Sequence, residues 1–536
     1  MSRARRLVFS GFWIVGINVL TATSQLIVVP FFIQYWGDAY KDWIALSALT
    51  FILQYADGGM QQHIINTLTT AYTQERWDDL RVDVASATLM YTFTSLLVLV
   101  GTAGVCTWIS VTHHFQGRAL ESQAVAVMAL LGVQVMLALL QGYLGGLYRA
   151  FGRYDIPQAV GFFTRFSLLL GMLAVLTRGH GAVAMAAMLV GVNSCFALFQ
   201  FFDTRRREPR LGLTYRGASL SRARSFVDPS LRYLLIAMSQ GLTQSGTLLV
   251  IDAIDPPSLV IFSTTRVVAN AVRQIMNLFS NTVYPELTRL DALGARDRLA
   301  KGVRIVVKLT CSITLPIIAA LCFAGPELYR AWTNGQAPDV TLLRLLLLDV
   351  ALGTPWASAS IVLVATSRVR DLSNMNLFGA LALLGLSYPA MKFFGVEGIG
   401  LVSLALTACV YGVLAPRWSQ EVVGETWLDF ARDVYARYAV LALLTLLAAW
   451  GAHHWLVPWS EQQRSMLVRF VAGHPKLARF APAGLSGALV GMVALGCSAP
   501  ISWFFFLQRP ERALIERGVR QVLARRRPEP QLNLGT

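Results

Sequence analysis

The stretch SLVIFSTTRVVANAVRQIMNLFSNTVY (Ser258–Tyr284) decides how the chain is read. A helix through it is about 40 Å long at 1.5 Å per residue, enough to cross a hydrocarbon core of about 30 Å. Arg266, Asn270, Arg273, Asn277 and Asn281 recur at i, i+4, i+7, i+11 and i+15, on one helix face. Gln274 lies beside them. The two arginines are about 10 Å apart along the axis and flank the midplane. A lipid-facing arginine there costs about 3 kcal/mol. The face is therefore expected to line a wet cavity, with bonding to the carbonyls of a neighbouring helix as the structural alternative.

The rest of the chain makes that stretch a membrane span. Of 536 residues 55% are apolar and only 14% charged, and the mean hydropathy is +0.52. Soluble domains are about 25% charged, so a soluble enzyme is excluded, and the apolar content excludes disorder. Fourteen stretches are long and apolar enough to span: 8–33, 43–66, 84–110, 122–147, 159–177, 181–202, 231–253, 258–284, 303–324, 340–365, 374–394, 398–416, 436–457 and 482–506. The expected fold class is an all-α polytopic membrane protein with about 14 transmembrane helices. The first run is too long for a signal h-region and reads as a retained span.

With the N-terminus inside, 32 of the 46 Lys and Arg fall in cytoplasmic segments and 9 in outer loops. That bias predicts both termini in the cytoplasm. The net charge of +16 then reports topology and contact with anionic membrane lipids, with no nucleic acid implied. The outer loop 458–481 places Met466, Leu467, Phe470 and Val471 at helical spacing, and the tail 510–527 sets apolar residues opposite arginines. Both suit interfacial helices or plain solvation. No loop is large enough for a catalytic domain, and no G-x-x-x-x-G-K-[ST] occurs, so neither an enzyme nor a cofactor is expected. The six cysteines all sit in apolar runs and read as small buried hydrophobes. His113–His114 and His453–His454 read as interfacial pairs, not metal ligands.

The basic segment 203–230 divides two similar halves. Asp155-Ile156-Pro157-Gln158 after span four parallels Asp371-Leu372-Ser373-Asn374 after span ten. Gly179-His180-Gly181 between spans five and six parallels Val396-Glu397-Gly398 between eleven and twelve. The pattern predicts two six-helix lobes related by a pseudo-twofold axis along the membrane normal, plus two C-terminal helices. The expected divisions are an N-terminal lobe 1–202, a linker 203–230, a C-terminal lobe 231–420, spans thirteen and fourteen in 421–506, and a basic tail 507–536.

Other spans carry polar stripes: Asn18, Thr21 and Gln25 in span one; Gln54, Asp57 and Gln61 in span two; Gln240, Thr243, Gln244 and Thr247 in span seven. Helices one and two of each half thus show a polar face, as a cavity between lobes requires, though polar contacts between helices would leave part of the same pattern. Asp57 and Asp349 are the deeply placed acids and are expected to exchange a proton, hold a cation or neutralise an arginine. Lys308 and Arg344 lie in the first turns of their spans and are expected to snorkel; Arg165 lies a little deeper.

Val29-Pro30-Phe31-Phe32, Tyr35-Trp36-Gly37 and Leu53 to Gly59 resemble the start of the polysaccharide (O-antigen and exopolysaccharide) flippases. These belong to the multidrug/oligosaccharidyl-lipid/polysaccharide (MOP) exporter superfamily. Gln141 to Arg153 is similar to the family's span-four exit, and Phe262 through Arg266 to Leu287 is similar as well. The resemblance covers residues 8–420. It implies alternating access, an undecaprenyl-pyrophosphate-linked oligosaccharide as cargo, glycan polymerase and assembly proteins as partners, and the bacterial inner membrane as location. Arg266, Arg273, Asn270, Asn277, Asn18, Gln25, Gln61, Gln240 and Gln244 are the expected substrate-binding residues, and Asp57 and Asp349 the ion-coupling ones. Span one lacks both the arginine usual in lipid II flippases and the acid frequent in drug exporters. A lipid II flippase and a drug/cation antiporter stay open as alternatives.

Overall fold

The computed structural model describes residues 3–53, 64–65, 67–68, 71–72, 74–151, 153, 155–207, 215, 217–224, 235, 238–292, 294–333, 335–366, 368–462, 475–508 and 511–512. At some helical positions only the backbone is described. A chain in lipid must satisfy its backbone N–H and C=O groups within each segment, and among the described residues the chain is all-helical, without strands. The helices are α1 (Arg3–Trp36), α2 (Ala39–Leu53), α3 (Trp77–Thr112), α4 (Ala124–Ala150), α5 (Asp155–Thr177), α6 (Ala182–Arg207), α7 (Thr247–Ile254), α8 (Ser258–Ala292), α9 (Arg296–Trp332), α10 (Val340–Ala359), α11 (Ile361–Ala365), α12 (Val369–Phe394), α13 (Glu397–Leu406), α14 (Gly412–Val423), α15 (Trp427–Phe430), α16 (Arg437–Gln462) and α17 (Pro475–Ile501). Four wide π-type turns, at Leu242–Gly246, Thr407–Tyr411, Ala431–Ala436 and Ser502–Phe506, interrupt the series.

Among the described residues eleven helical stretches are long and apolar enough to cross a membrane, and each coincides with one of the fourteen expected spans. Spans two and seven run into residues outside the description. Span eight is α8, which carries the polar stripe.

The chain forms two compact units that interleave along the sequence, whereas the expected lobes are consecutive. The first comprises Met1–Gln274, Trp332–Leu346 and Arg368–Val410. In it α4 packs on α3 and α6, α1 runs along α5, and α12 packs on α7 and α13. Its core joins Ile64, Leu68, Leu80, Val84 and Tyr91 to Tyr143, Leu144, Leu147 and Phe151. The Gln141–Arg153 motif is thus a packing motif. The Tyr143 hydroxyl bonds Thr88 Oγ1 at 2.9 Å, that of Tyr148 donates to Asp203 at 2.7 Å, and Gln141 Nε2 donates to the Asn193 carbonyl at 2.7 Å. Gly146 has no side chain because a Cβ there would meet Ile65 at 2.7 Å. In the basic linker Arg222 pairs with Asp79 at 3.1 Å and Asp83 at 3.5 Å, fastening the segment to α3.

The second unit comprises Ile275–Ala331, Leu347–Ser367 and Tyr411–Thr536. Its α9, α16 and α17 meet through Ala319, Ala324, Ala449, Ala452, Val490 and Ala494, small residues that let helices approach closely. Gly487 would clash with Leu328 if it had a Cβ.

Lys308 corrects the snorkelling expectation. It has no exposed surface, and its Nζ lies 2.7 Å from Asp433 Oδ2 and 3.0 Å from Glu511 Oε1. Arg304 pairs with Glu425 at 2.7 Å and Asp433 at 3.5 Å, and Arg437 reaches Asp433 at 3.3 Å. Gln508 Nε2 donates to Asp433 Oδ1 at 2.6 Å. The lysine had no need to reach water because two segments distant in sequence bring carboxylates to it.

The cysteine expectation also needs correcting. Cys311 and Cys322 are buried, but Cys106 is half-buried and Cys195, Cys409 and Cys497 lie on helix surfaces. In an apolar span such a surface meets lipid, so an apolar run does not require burial in protein. The interfacial segments proposed at Met466–Val471 and beyond Arg512 lie outside the described residues.

Candidate functional site

The polar stripe of α8 sits in the first unit as far as Gln274, beside the chain that precedes it. The wide turn Leu242–Gly246 breaks the regular helical ladder just before α7, and such turns release backbone carbonyls for other donors. The Gln244 carbonyl accepts from Arg266 Nη1 at 2.5 Å, and Thr247 Oγ1 lies 3.2 Å from the same nitrogen. The guanidinium also stands 5.4 Å from the Phe262 ring centroid. Gly246 permits α12 to close on this turn, since a Cβ there would meet Leu384 at 2.8 Å. Arg266 is therefore half-buried and committed in part to holding α8 against the turn.

Two turns further along the same face, Arg273 Nη1 donates to Asn270 Oδ1 at 3.1 Å. Gln274 Nε2 reaches Gln25 Oε1 on α1 at 3.4 Å. Asn270 and Arg273 are half-buried, and Gln25, Gln240 and Asn277 are exposed. The structure thus lines α8 with three polar contacts: Arg266 with the Gln244 carbonyl of the wide turn, Arg273 with Asn270, and Gln274 with Gln25 of α1, which together form a polar wall. An anion could bind here because the wall offers guanidinium and amide donors within otherwise apolar helices. Asp349 is buried on α10 at 4% exposure, in the second unit. Asp57 and Gln61, and the side chain of Asn18, lie outside the described residues.

Sequence reasoning missed a second cluster in the first unit. Asp252 on α7 accepts from Arg118 at 2.7 Å and stands 2.9 Å from His114 Nε2. Arg118 lies 3.9 Å from Asp42, whose other oxygen accepts the Leu120 N–H at 3.0 Å. Burial pushes the Asp42 carboxyl above its ordinary value of 3.8, against the lowering pull of the Leu120 N–H, Arg118 and Lys41. The signal was available: an acid at a predicted span end opposite a loop His-x-x-x-Arg. Nothing in the spacing paired them, because 134 residues separate Arg118 from Asp252. Among the described residues no group of His, Cys, Asp and Glu could hold a metal ion.

No protein-family model and no curated protein sequence matches the chain. Solved structures do. The lipid II flippase MurJ in an inward closed conformation is 13% identical, covering 91% of this chain and 98% of that one, with a TM-score of 0.64. An inward-facing multidrug resistance MATE family transporter of the MOP superfamily is 11% identical over 79% and 98%, with a TM-score of 0.59. An outward-facing structure of such a transporter is 12% identical over 79% and 96%, with a TM-score of 0.57. The chain thus has the fold of these solved structures, a multidrug resistance MATE family transporter of the MOP superfamily and the lipid II flippase MurJ.

Proposed function

We propose that the chain is a flippase that moves a lipid-linked oligosaccharide, carried on undecaprenyl pyrophosphate, across the bacterial inner membrane by alternating access for surface polysaccharide synthesis. The observation that carries this reading is the polar wall of Gln25, Gln244, Asn270 and Arg273, with Arg266 anchoring it. A pyrophosphate needs a cation, sugars need amide and hydroxyl partners, and a lipid tail needs an apolar exit. A drug/cation antiporter would instead need an acid-lined site, and the described residues of this wall are neutral or cationic. The flippase structure also matches a larger share of this chain than the MATE transporter does, 91% against 79%. That difference is the size of two spans.

In this mechanism Arg273 neutralises the headgroup in the inward-open state and the polar contacts stabilise a closed intermediate. The lobes 1–202 and 231–420 then exchange access. Asn18, Gln61, Gln240 and Asn277 extend the sugar-binding wall, and Asp57 and Asp349 are the groups for ion coupling. Both termini are cytoplasmic, anionic lipids contact the basic inner face, and glycan polymerase and assembly proteins are the partners.

The test is complementation of a strain lacking its oligosaccharide flippase, comparing the unmodified chain with Arg273→Ala at matched expression. We expect the first to restore surface glycan and the second to lose at least about tenfold, the size of one charge-assisted contact of about 1.5 kcal/mol. Rescue by both removes Arg273 from the site. Rescue by neither, together with drug efflux by the unmodified chain, replaces the flippase reading with the antiporter.

A further inference from the structure

Arg165 is a cation within a predicted span of the first unit that the site described above does not use. It stands ten residues into α5, about 15 Å from the first residue of that helix, near the middle of a bilayer. Its side chain is exposed and has no partner among the described residues. The lipid face of α5 is marked by Phe163, Phe166 and Leu170, all exposed at i, i+3 and i+7. Arg165 is two residues from Phe163, about 200° round the helix from it, and so does not belong to that stripe.

The neighbours of Arg165 say where it points. A Cβ on Gly161 would lie 3.8 Å from Arg165 Nη1 and 3.5 Å from Ile17 Cδ1 of α1. The arginine therefore folds back over a glycine in the groove between α5 and α1, the most extensive contact of α1 in this unit. Its guanidinium lies at the level of Ile17, where the polar stripe of α1 begins. Gln25, eight residues further along α1, is the residue that meets Gln274 beside Arg273. Helix α1 thus serves as a ruler, with Arg165 about 12 Å along it from the Arg273 end of the wall. One phosphate cannot touch cations so spaced, whereas a diphosphate can once the two long side chains reach toward it.

We propose that Arg165 is a second anion-holding cation of this site, which with Arg273 brackets the two phosphates of a lipid diphosphate. The inference rests on the reading that the cargo is anionic, and it adds a wall contributed by the first half of the chain. Arg266, held by the Gln244 carbonyl, then acts as the fixed support of the site.

The test uses the purified full-length chain and farnesyl diphosphate as probe, with farnesol and inorganic diphosphate as parallel arms. Arg165→Gln is expected to weaken farnesyl diphosphate binding about tenfold, with Arg165→Lys losing less than half of that on a logarithmic scale. Arg178→Gln, just past the far end of the same helix, should change nothing, and melting temperatures should be equal throughout. Farnesol should bind equally to all, and inorganic diphosphate should show the same order of variants more weakly. A second arm places cysteine at 165 or at 166 in a chain freed of its native cysteines. An impermeant anionic thiosulfonate should modify Arg165→Cys at least tenfold faster than Phe166→Cys, and farnesyl diphosphate should slow it. Unchanged binding by Arg165→Gln overturns the inference and leaves the anionic-cargo reading standing, as does equal modification of the two cysteines. Failure of the unmodified chain to bind farnesyl diphosphate overturns both.

Discussion

Lys308 shows what a buried charge in this chain requires. Taking an ammonium out of water carries a penalty of several kcal/mol, offset only when geometry and countercharge are good. Here Lys308, Arg304 and Arg437 face Asp433, Glu511 and Glu425, three cations against three carboxylates. The balance predicts that removing one charge alone, which leaves its partners buried and uncompensated, is far worse than replacing the whole network by apolar residues. Lys308→Met should destabilise the chain by about 3–5 kcal/mol, read as a lowered melting temperature in detergent and early proteolysis of the segment after Phe506. A melting temperature within a degree of the unmodified chain would refute the network's role. At Asp42 the sign is opposite to that of a paired acid. Its folded-state value is raised, so its contribution to stability is fullest below pH 3.8 and is lost as pH rises through the folded value. Asp42→Asn keeps a carbonyl oxygen for the Leu120 N–H and removes the buried charge. We expect the melting temperature of the unmodified chain, relative to this variant, to climb as pH falls from neutral; parallel curves would exclude Asp42 as the source.

At the scale of elements, the wide turns and glycine contacts set the approach of helices. The turn between α12 and α13 places Gly395 at φ +60°, where a side chain is strained. Gly398 follows, and a Cβ there would stand 2.4 Å from the Ala390 carbonyl oxygen. Because that atom is backbone, a substitution must move the helix itself. Gly398→Ala is expected to cost about 1–3 kcal/mol, as overpacking does, and to lower the yield of folded chain in membranes; Gly491→Ala, where the nearest atom is 3.8 Å away, should be neutral. Equal yields would sink the close-approach argument. The α helices themselves were legible because hydropathy over about 20 residues suffices to predict a span. The wide turn Leu242–Gly246 was not, since a one-residue insertion in a ladder leaves no mark on apolar periodicity. With it went the carbonyl that holds Arg266.

Among its described residues the chain is all-helical, and its fold is shared with solved transporter structures at 11–13% identity. Bilayer thickness and the expense of an unbonded backbone in lipid restrict such a chain to helices, so composition and span counting reach the class unaided. The sequence by itself determined that class, the run of spans and the one-sided polarity of α8, because each depends on residues near one another along the chain. Tertiary structure alone decided which cations are committed. Arg266 bonds a carbonyl 22 residues away, Lys308 meets carboxylates 125 and 203 residues away, and Arg118 meets Asp252. A charge in low dielectric takes its energy from whatever lies within a few ångströms, and spacing along the chain does not encode that neighbour.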